Sequence, residues 1–112
     1  MMVAPMQSAG VVRTGALVID LDALTVHVDG REVALTPRER EIVLFLAGRA
    51  GQIVPAREVV AAVWGAEYVL GSLTDYGNVA RVHMNRLRPK LGAAGALVET
   101  VPGFGYRLKV TP

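Results

Sequence analysis

The segment "NVARVHMNRLRPKLG", residues 78–92, places three arginines, a lysine and a histidine among regularly spaced apolar residues. At the helical advance of about 100° per residue, these side chains separate into two faces. The first face is mainly apolar and consists of Ala80, His83, Met84, Leu87 and Leu91. The second face is polar and consists of Asn78, Arg81, Asn85 and Arg88, with Arg86 and Lys90 on the flank beside Val79. The spacing predicts an amphipathic helix that packs on a core through the first face.

The polar face carries the side chains that read the edges of DNA bases. A guanidinium group can bridge O6 and N7 of guanine, and an Asn amide can bridge N6 and N7 of adenine. The remaining cations suit phosphate oxygens. The alternative is that this face is merely solvated, as most basic helix faces are. The side chains alone leave both interpretations open.

A proline near the end of this segment disturbs the predicted helix. Pro89 has no amide to bond to the carbonyl of Asn85, and it disfavours helical geometry at Arg88. We expect a kink or a tightened last turn, which re-aims Arg88 and Lys90.

Charge is divided unevenly along the 112 residues, which are enough for one domain with a modest core. Residues 1–77 contain six Arg or Lys and nine Asp or Glu, a net charge of −3, whereas residues 78–112 contain six and one, a net charge of +5. This asymmetry favours a polyanion-binding face near the C-terminal end, although a solvated basic surface remains the alternative.

Composition excludes several classes of protein. The hydrophobic content of 52% argues against disorder, and no apolar run is long enough to span a membrane. The N-terminus lacks the cationic start and apolar stretch of a signal peptide, and the chain has no cysteine for disulfides or thiolate ligands. We expect a cytoplasmic bacterial protein without a membrane, metal or cofactor.

The N-terminal part has the pattern of an antiparallel sheet. Residues 1–14 mix Ala, Pro, Gly and Ser without periodicity and are expected to form a flexible tail or linker. Three extended segments follow, at residues 16–21, 24–30 and 31–35. Asp29-Gly30 is typical of a two-residue hairpin turn. Leu24 belongs to the apolar side of the period-two pattern of the second segment, and His27 falls on its polar side, where solvent exposure is expected.

Two helices are predicted next. Thr36 is a suitable N-cap, Pro37 fits the first helical position, and Glu39 completes a capping box. The buried stripe of this first helix is Ile42, Phe45 and Leu46, and Gly51 is the expected stop. The second helix, within residues 54–65, begins at Pro55 and ends at Gly65. Its apolar stripe is Val59, Val60 and Val63.

The C-terminal part completes the pattern. A connecting segment spans residues 66–77. Within it, Ser72 or Thr74 could cap a third helix, which ends at Leu91 before Gly92. Two short extended segments around "PGFG" then predict a β-hairpin. The predicted fold is α+β: a winged helix-turn-helix over residues 15–112, with an N-terminal antiparallel β-sheet, a three-helix core and a C-terminal β-hairpin wing. In such folds the last helix enters the major groove of DNA.

The sequence resembles the C-terminal DNA-binding domain of OmpR/PhoB-type response regulators from about Gly15 to Val110. The resemblance rests on "DGREVALTPRERE" (29–41), "GQIVPAREVVAAVWG" (51–65), "RVHMNRLRPKLG" (81–92) and "ETVPGFGYRL" (99–108). It implies sequence-specific binding of double-stranded DNA by a transcription regulator, commonly as head-to-tail pairs on direct repeats. Arg81 and Arg86 match the base-reading positions. The phosphate or groove contacts expected from the resemblance are Trp64, Asn78, His83, Asn85, Arg88 and Tyr106. Lys90, Thr100 and Arg107 are further candidates for such contacts.

The chain departs from the family pattern at several points. The family usually has Asp where this chain has Arg81, so a different base preference is expected, and it often has Arg where this chain has Pro102. The resemblance also implies an approach to RNA polymerase through the loop 66–77, which is longer here than in the family pattern. Residues 1–14 cannot supply the receiver domain of a response regulator, so an excised output domain, a replaced receiver and an independent protein all remain open.

A protein-interaction module is the alternative function. It could use the winged-helix surface and the long loop, where Tyr68, Val69, Leu70 and Leu73 are apolar. An enzyme is not expected, because the sequence has no nucleophile–base pair, phosphate loop or metal cluster, and no helix follows "GFG" to make it a dinucleotide motif.

Overall fold

The computed structural model describes residues 10–66 and 76–110. In these residues the chain forms two antiparallel sheets, three α-helices and a short 3₁₀ helix. In chain order the elements are β1 (Val11–Thr14), β2 (Leu17–Asp20), β3 (Thr25–Val28), β4 (Arg31–Glu32), α1 (Pro37–Ala47), α2 (Ala56–Trp64), α3 (Tyr76–Lys90), the 3₁₀ helix (Gly92–Leu97), β5 (Val98–Val101) and β6 (Gly105–Leu108). The fold is the predicted winged helix with an N-terminal sheet.

The first sheet has the order β1-β2-β3-β4. Its strand β1 lies in the segment expected to be a tail, so that prediction is wrong for Val11–Thr14; residues 1–9 lie outside the described part. Pairing with β2 gives this short strand its structure, and a four-residue strand carries too little local signal to reveal a partner. Thr14 is buried, and its hydroxyl donates to the carbonyl oxygen of Lys109 at 2.8 Å, which ties the sheet to the chain's C-terminal end.

The turns of this sheet confirm one prediction and correct another. Asp29 and Gly30 both have positive φ, 52° and 80°, as the predicted two-residue hairpin requires. Leu24 was expected inside a strand on the apolar side, but it lies in the preceding turn with φ 60° and is exposed. The oxygen Oδ1 of Asp20 accepts bonds from the amides of that turn, so local hydrogen bonding overrides the alternation. His27 is partly exposed in β3.

Helix α1 begins as its sequence predicts. The Thr36 hydroxyl accepts a bond from the amide of Glu39, and the Glu39 carboxylate accepts one from the amide of Thr36. Ile42 and Leu46 are buried as expected, whereas Phe45 is only partly buried. The helix ends at Gly48 rather than at the expected Gly51, which lies three residues beyond with positive φ.

Helix α2 follows its predicted bounds closely, because Pro55 precedes it and Gly65 caps its end. Its valine stripe is buried against the core, as expected: Val59, Val60 and Val63. Most of the connecting loop, residues 67–75, lies outside the described residues, and with it the predicted caps Ser72 and Thr74.

Helix α3 ends one residue earlier than predicted, at Lys90. The amide of Leu91 donates to the carbonyl of Arg88, three residues back, at 3.0 Å. This bond confirms the tightened last turn that Pro89 predicts. The 3₁₀ helix packs directly on this turn: a Cβ at Gly95 would overlap with the carbonyl oxygen of Arg88. Glycine at this position therefore lets the segment leading to β5 approach the end of α3.

Candidate nucleic-acid interface

The apolar face of α3 is as the sequence predicts, and its polar face is exposed except at Arg88, which is partly buried. The anchoring side chains are almost fully buried: Ala80, Met84 and Leu87 in the helix, with Leu91 just beyond it. Four polar side chains of the opposite side are exposed: Asn78, Arg81, Asn85 and Arg86. An Arg81 guanidinium nitrogen donates to the side-chain oxygen of Asn78. The helix therefore holds a row of guanidinium and amide groups in solvent on a rigidly packed support.

The C-terminal hairpin, β5 and β6 with their connecting turn, forms the wing. Its register pairs Val98 with Leu108 and ends at the pair Val101–Gly105. Val54, just before α2, extends the hairpin: its amide and carbonyl bond to the carbonyl and amide of Tyr106 at 2.7 and 2.9 Å. The wing is therefore fixed to the start of α2 by backbone bonds.

Arg88 joins α3 to the wing. Its Nε donates to the carbonyl oxygen of Val98 at 2.7 Å, and one terminal nitrogen donates to the hydroxyl of Thr100 at 2.6 Å. Both acceptors belong to β5. Two of the predicted phosphate-contacting side chains, Arg88 and Thr100, are thus bonded to each other. A guanidinium group has five N–H donors, so others remain for a ligand.

Lys90 is also engaged within the protein. Its ammonium nitrogen lies 2.8 Å from a carboxylate oxygen of Glu39, which is almost completely buried at the start of α1. Burial alone raises the pKa of Glu39, but the bonds from Lys90 and Thr36 outweigh it and hold the pKa below its ordinary value. The capping-box pattern predicted the local partner of Glu39, but not this distant one.

Side chains from three helices meet beside the predicted phosphate contact Trp64. The guanidinium carbon of Arg38 lies 5.3 Å from the centre of the Trp64 ring, and Arg38 also donates to the carbonyl oxygen of Val63 at 2.7 Å. The ring of His83 meets Trp64 edge-on, with centroids 4.8 Å apart. His83 Nδ1 donates to the carbonyl of Val79 at 3.0 Å, because a carbonyl can only accept. Sequence reasoning missed Arg38, since nothing local links it to the end of α2.

The remaining predicted positions lie in the wing. Arg107 is paired with Glu99 across the two strands, with N···O distances of 2.7 and 2.9 Å. The side chain of Tyr106 is 6% exposed, and burial raises its pKa against the opposing charges of Arg88 and Arg81. Tyr106 of the wing therefore lies within reach of the charges of Arg88 and Arg81 on α3.

Within residues 10–66 and 76–110, none of the helices has the length and apolarity needed to cross a bilayer. In the same residues, no three His, Cys, Asp or Glu side chains are grouped as a metal ion would need.

The antiparallel sheet, the packed helices and the hairpin mounted beside the exposed face of α3 define a winged helix-turn-helix domain. The chain belongs to the family described as "Transcriptional regulatory protein, C terminal", whose model matches residues 30–108, the C-terminal DNA-binding domain of OmpR/PhoB-type transcriptional regulators.

Individual relatives agree with this assignment. The chain is 37% identical over 103 residues to the transcriptional regulatory protein CseB of Streptomyces coelicolor, covering 92% of this chain and 41% of the relative. Among solved structures, the DNA-binding domain of CpxR from E. coli matches with a TM-score of 0.72 and 26% identity, covering 93% of this chain and all of that one. The RstA DNA-binding domain of Klebsiella pneumoniae, solved in complex with the RstA box, matches with a TM-score of 0.70 and 27% identity, covering 90% and 98%. The chain spans about two fifths of the length of its curated relatives.

Proposed function

We propose that this chain binds double-stranded DNA sequence-specifically, with α3 in the major groove and the wing on the neighbouring backbone or minor groove. The supporting observation is the exposed row of Asn and Arg side chains on a helix whose opposite face is buried. The net charge of +5 over residues 78–112 supplies the attraction to phosphates. RstA, a relative of similar fold, was solved on its own DNA box.

Individual roles follow from side-chain chemistry and from the family to which the chain belongs. Arg81 and Arg86 read bases, and both suit the paired acceptors of guanine. The phosphate or groove contacts of the proposal are Trp64, Asn78, His83, Asn85, Arg88, Lys90, Thr100, Tyr106 and Arg107. Within this set, Arg88, Lys90 and Arg107 have internal partners, so they act on DNA through their remaining donors while they hold the interface in shape.

Three further proposals concern the whole protein. The chain works in the cytoplasm as the output domain of a response regulator. It binds direct repeats as a head-to-tail pair, which the stoichiometry on duplexes with one or two sites would test. It approaches RNA polymerase through loop 66–77. Abortive-transcription assays with a variant of that loop would separate this role from DNA binding, because the loop variant should keep its DNA affinity.

The decisive experiment selects sites from random duplex DNA and then measures affinity against salt concentration. Several phosphate contacts predict that log K falls by several units for each unit of log salt concentration. A slope near zero would contradict the proposal. Arg81→Ala and Arg86→Ala should each relax base preference and cost about 1–3 kcal/mol at their sites.

Arg13→Ala is the matched control, since Arg13 is an exposed arginine of β1 and should leave the preference unchanged. Two results together would favour the interaction module instead. No duplex would be selected, and a stable protein partner would still bind after neutralisation of Arg81, Arg86 and Arg88.

A further inference from the structure

The turn of the wing holds an aromatic ring in solvent. The amide of Phe104 donates to the carbonyl of Val101 at 2.9 Å, Pro102 occupies the second position, and Gly103 has φ 82° at the third. These features make a type II turn, which proline and glycine stiffen. The side chain of Phe104 is 70% exposed. The turn thus presents a large apolar group with little backbone freedom.

The position of this turn relative to α3 is fixed through both strands of the wing. A Cβ at Gly105 would overlap with the carbonyl oxygen of Val54, so glycine lets the wing lie directly on the segment before α2. The bonds between Val54 and Tyr106 hold β6, and Arg88 holds β5. The turn is therefore mounted from both strands on the same helices that carry the polar face.

Phe104 and the first turn of α3 line the same cleft. A cleft of about 350 Å³ lies between the wing, the start of α2 and the start of α3. Phe104 and Thr100 line it from the wing, and Tyr76 and Gly77 line it from the first turn of α3. In the proposed complex, α3 lies in the major groove and the wing lies on the neighbouring backbone or minor groove.

The turn carries no charge, since residues 102–105 read Pro-Gly-Phe-Gly. We propose that Phe104 is a specificity-determining contact that places its phenyl ring in the minor groove beside the site read by α3. This inference rests on the proposed function. The ring covers the groove floor or wedges against a base step, as apolar side chains of other minor-groove proteins do. It favours A·T pairs, because the 2-amino group of guanine projects into the minor groove, where a phenyl ring offers it no acceptor.

The test uses the duplex selected for the wild-type chain, with A·T, G·C or inosine·C pairs at the positions beside the α3 site. Inosine lacks the 2-amino group, so inosine·C has the major groove of G·C and the minor groove of A·T. We expect the wild-type chain to bind the A·T and inosine·C duplexes about tenfold more tightly than the G·C duplex. Phe104→Ala should bind all three equally, near the wild-type affinity for G·C. Its salt slope should be unchanged, because a phenyl ring displaces no counterions.

The controls separate this contact from folding and from the proposed function. Leu24→Ala removes another exposed apolar side chain from a turn of the first sheet, and it should change no affinity. Phe104→Ala should unfold at the wild-type temperature, because its ring is mostly in solvent. If Phe104→Ala keeps wild-type affinity, or keeps the discrimination against G·C, the proposed minor-groove contact is contradicted. A protein partner would then be the remaining ligand for the exposed ring. If the wild-type chain binds no duplex at all, the proposed function fails instead.

Discussion

Replacement of Arg88 should loosen the attachment of the wing to α3. The wild-type guanidinium makes two short bonds to β5, to the carbonyl of Val98 and the hydroxyl of Thr100. A hydrogen bond from a charged donor contributes about 1.5–3 kcal/mol, and the bond to exposed Thr100 contributes less than a buried one. We therefore expect Arg88→Ala to lower the free energy of unfolding by about 2 kcal/mol. Thr100→Val removes one acceptor and should cost about half as much.

The DNA-binding assay separates the structural role of Arg88 from its charge. Arg88→Lys keeps the charge, but one ammonium group cannot reproduce both bonds of the guanidinium fork. Both variants should lose preference at the base pairs beneath the wing and keep it at those read by Arg81 and Arg86. Only Arg88→Ala should reduce the salt slope, by about one unit, if a spare donor also binds a phosphate. Fluorescence anisotropy across a duplex library and a salt series measures both quantities.

One result would refute this reasoning. If Arg88→Lys restores wild-type stability and wild-type preference beneath the wing, the charge alone matters and the two bonds to β5 do not position the wing. Equal weakening of every sequence by Arg88→Ala, with the stability unchanged, would lead to the same conclusion.

Three further predictions concern the support of the interface. Gly105→Ala should destabilise the chain by about 2–4 kcal/mol in chemical denaturation, because the added Cβ overlaps with the backbone and φ is 150°. Gly103→Ala, which has open space around it, should lower the free energy of unfolding by less. The lowered pKa of Glu39 stabilises the fold above about pH 4.5, and this contribution is lost as the pH falls below that value. The free energy of unfolding of the wild-type chain should therefore decrease in acid. Glu39→Gln and Lys90→Met should each reduce that decrease. Thr36→Ala should cost about 1 kcal/mol in thermal unfolding, whereas Thr36→Ser should cost much less, and equal losses would contradict the capping role.

Local patterns predicted the helices and the hairpin turn because their causes lie within a few residues. The capping box needs only Thr36 and Glu39, and the hairpin turn needs only Asp29 and Gly30. The buried face of α3 follows from helical periodicity alone. Strand β1 was missed for the opposite reason, because its stability comes from pairing with β2 rather than from its own four residues.

The candidate site divides in the same way. Periodicity placed Arg81 and Asn85 on an exposed face before any contact was known. It could not show that Arg88 bonds to a strand ten residues further along, or that Lys90 pairs with a carboxylate 51 residues away. The sequence predicted both side chains as phosphate or groove contacts, without these internal partners.

The sequence by itself determined the three helices, their faces and the separation of charge, since these depend on side-chain type and on the helical period of 3.6. Only the tertiary structure decided which basic groups are internally bonded and which face solvent. Long-range pairs such as Lys90–Glu39 depend on how the helices cross, and packing of the whole core sets that geometry. The same packing places the wing beside α3, where the exposed Phe104 lines the cleft between them.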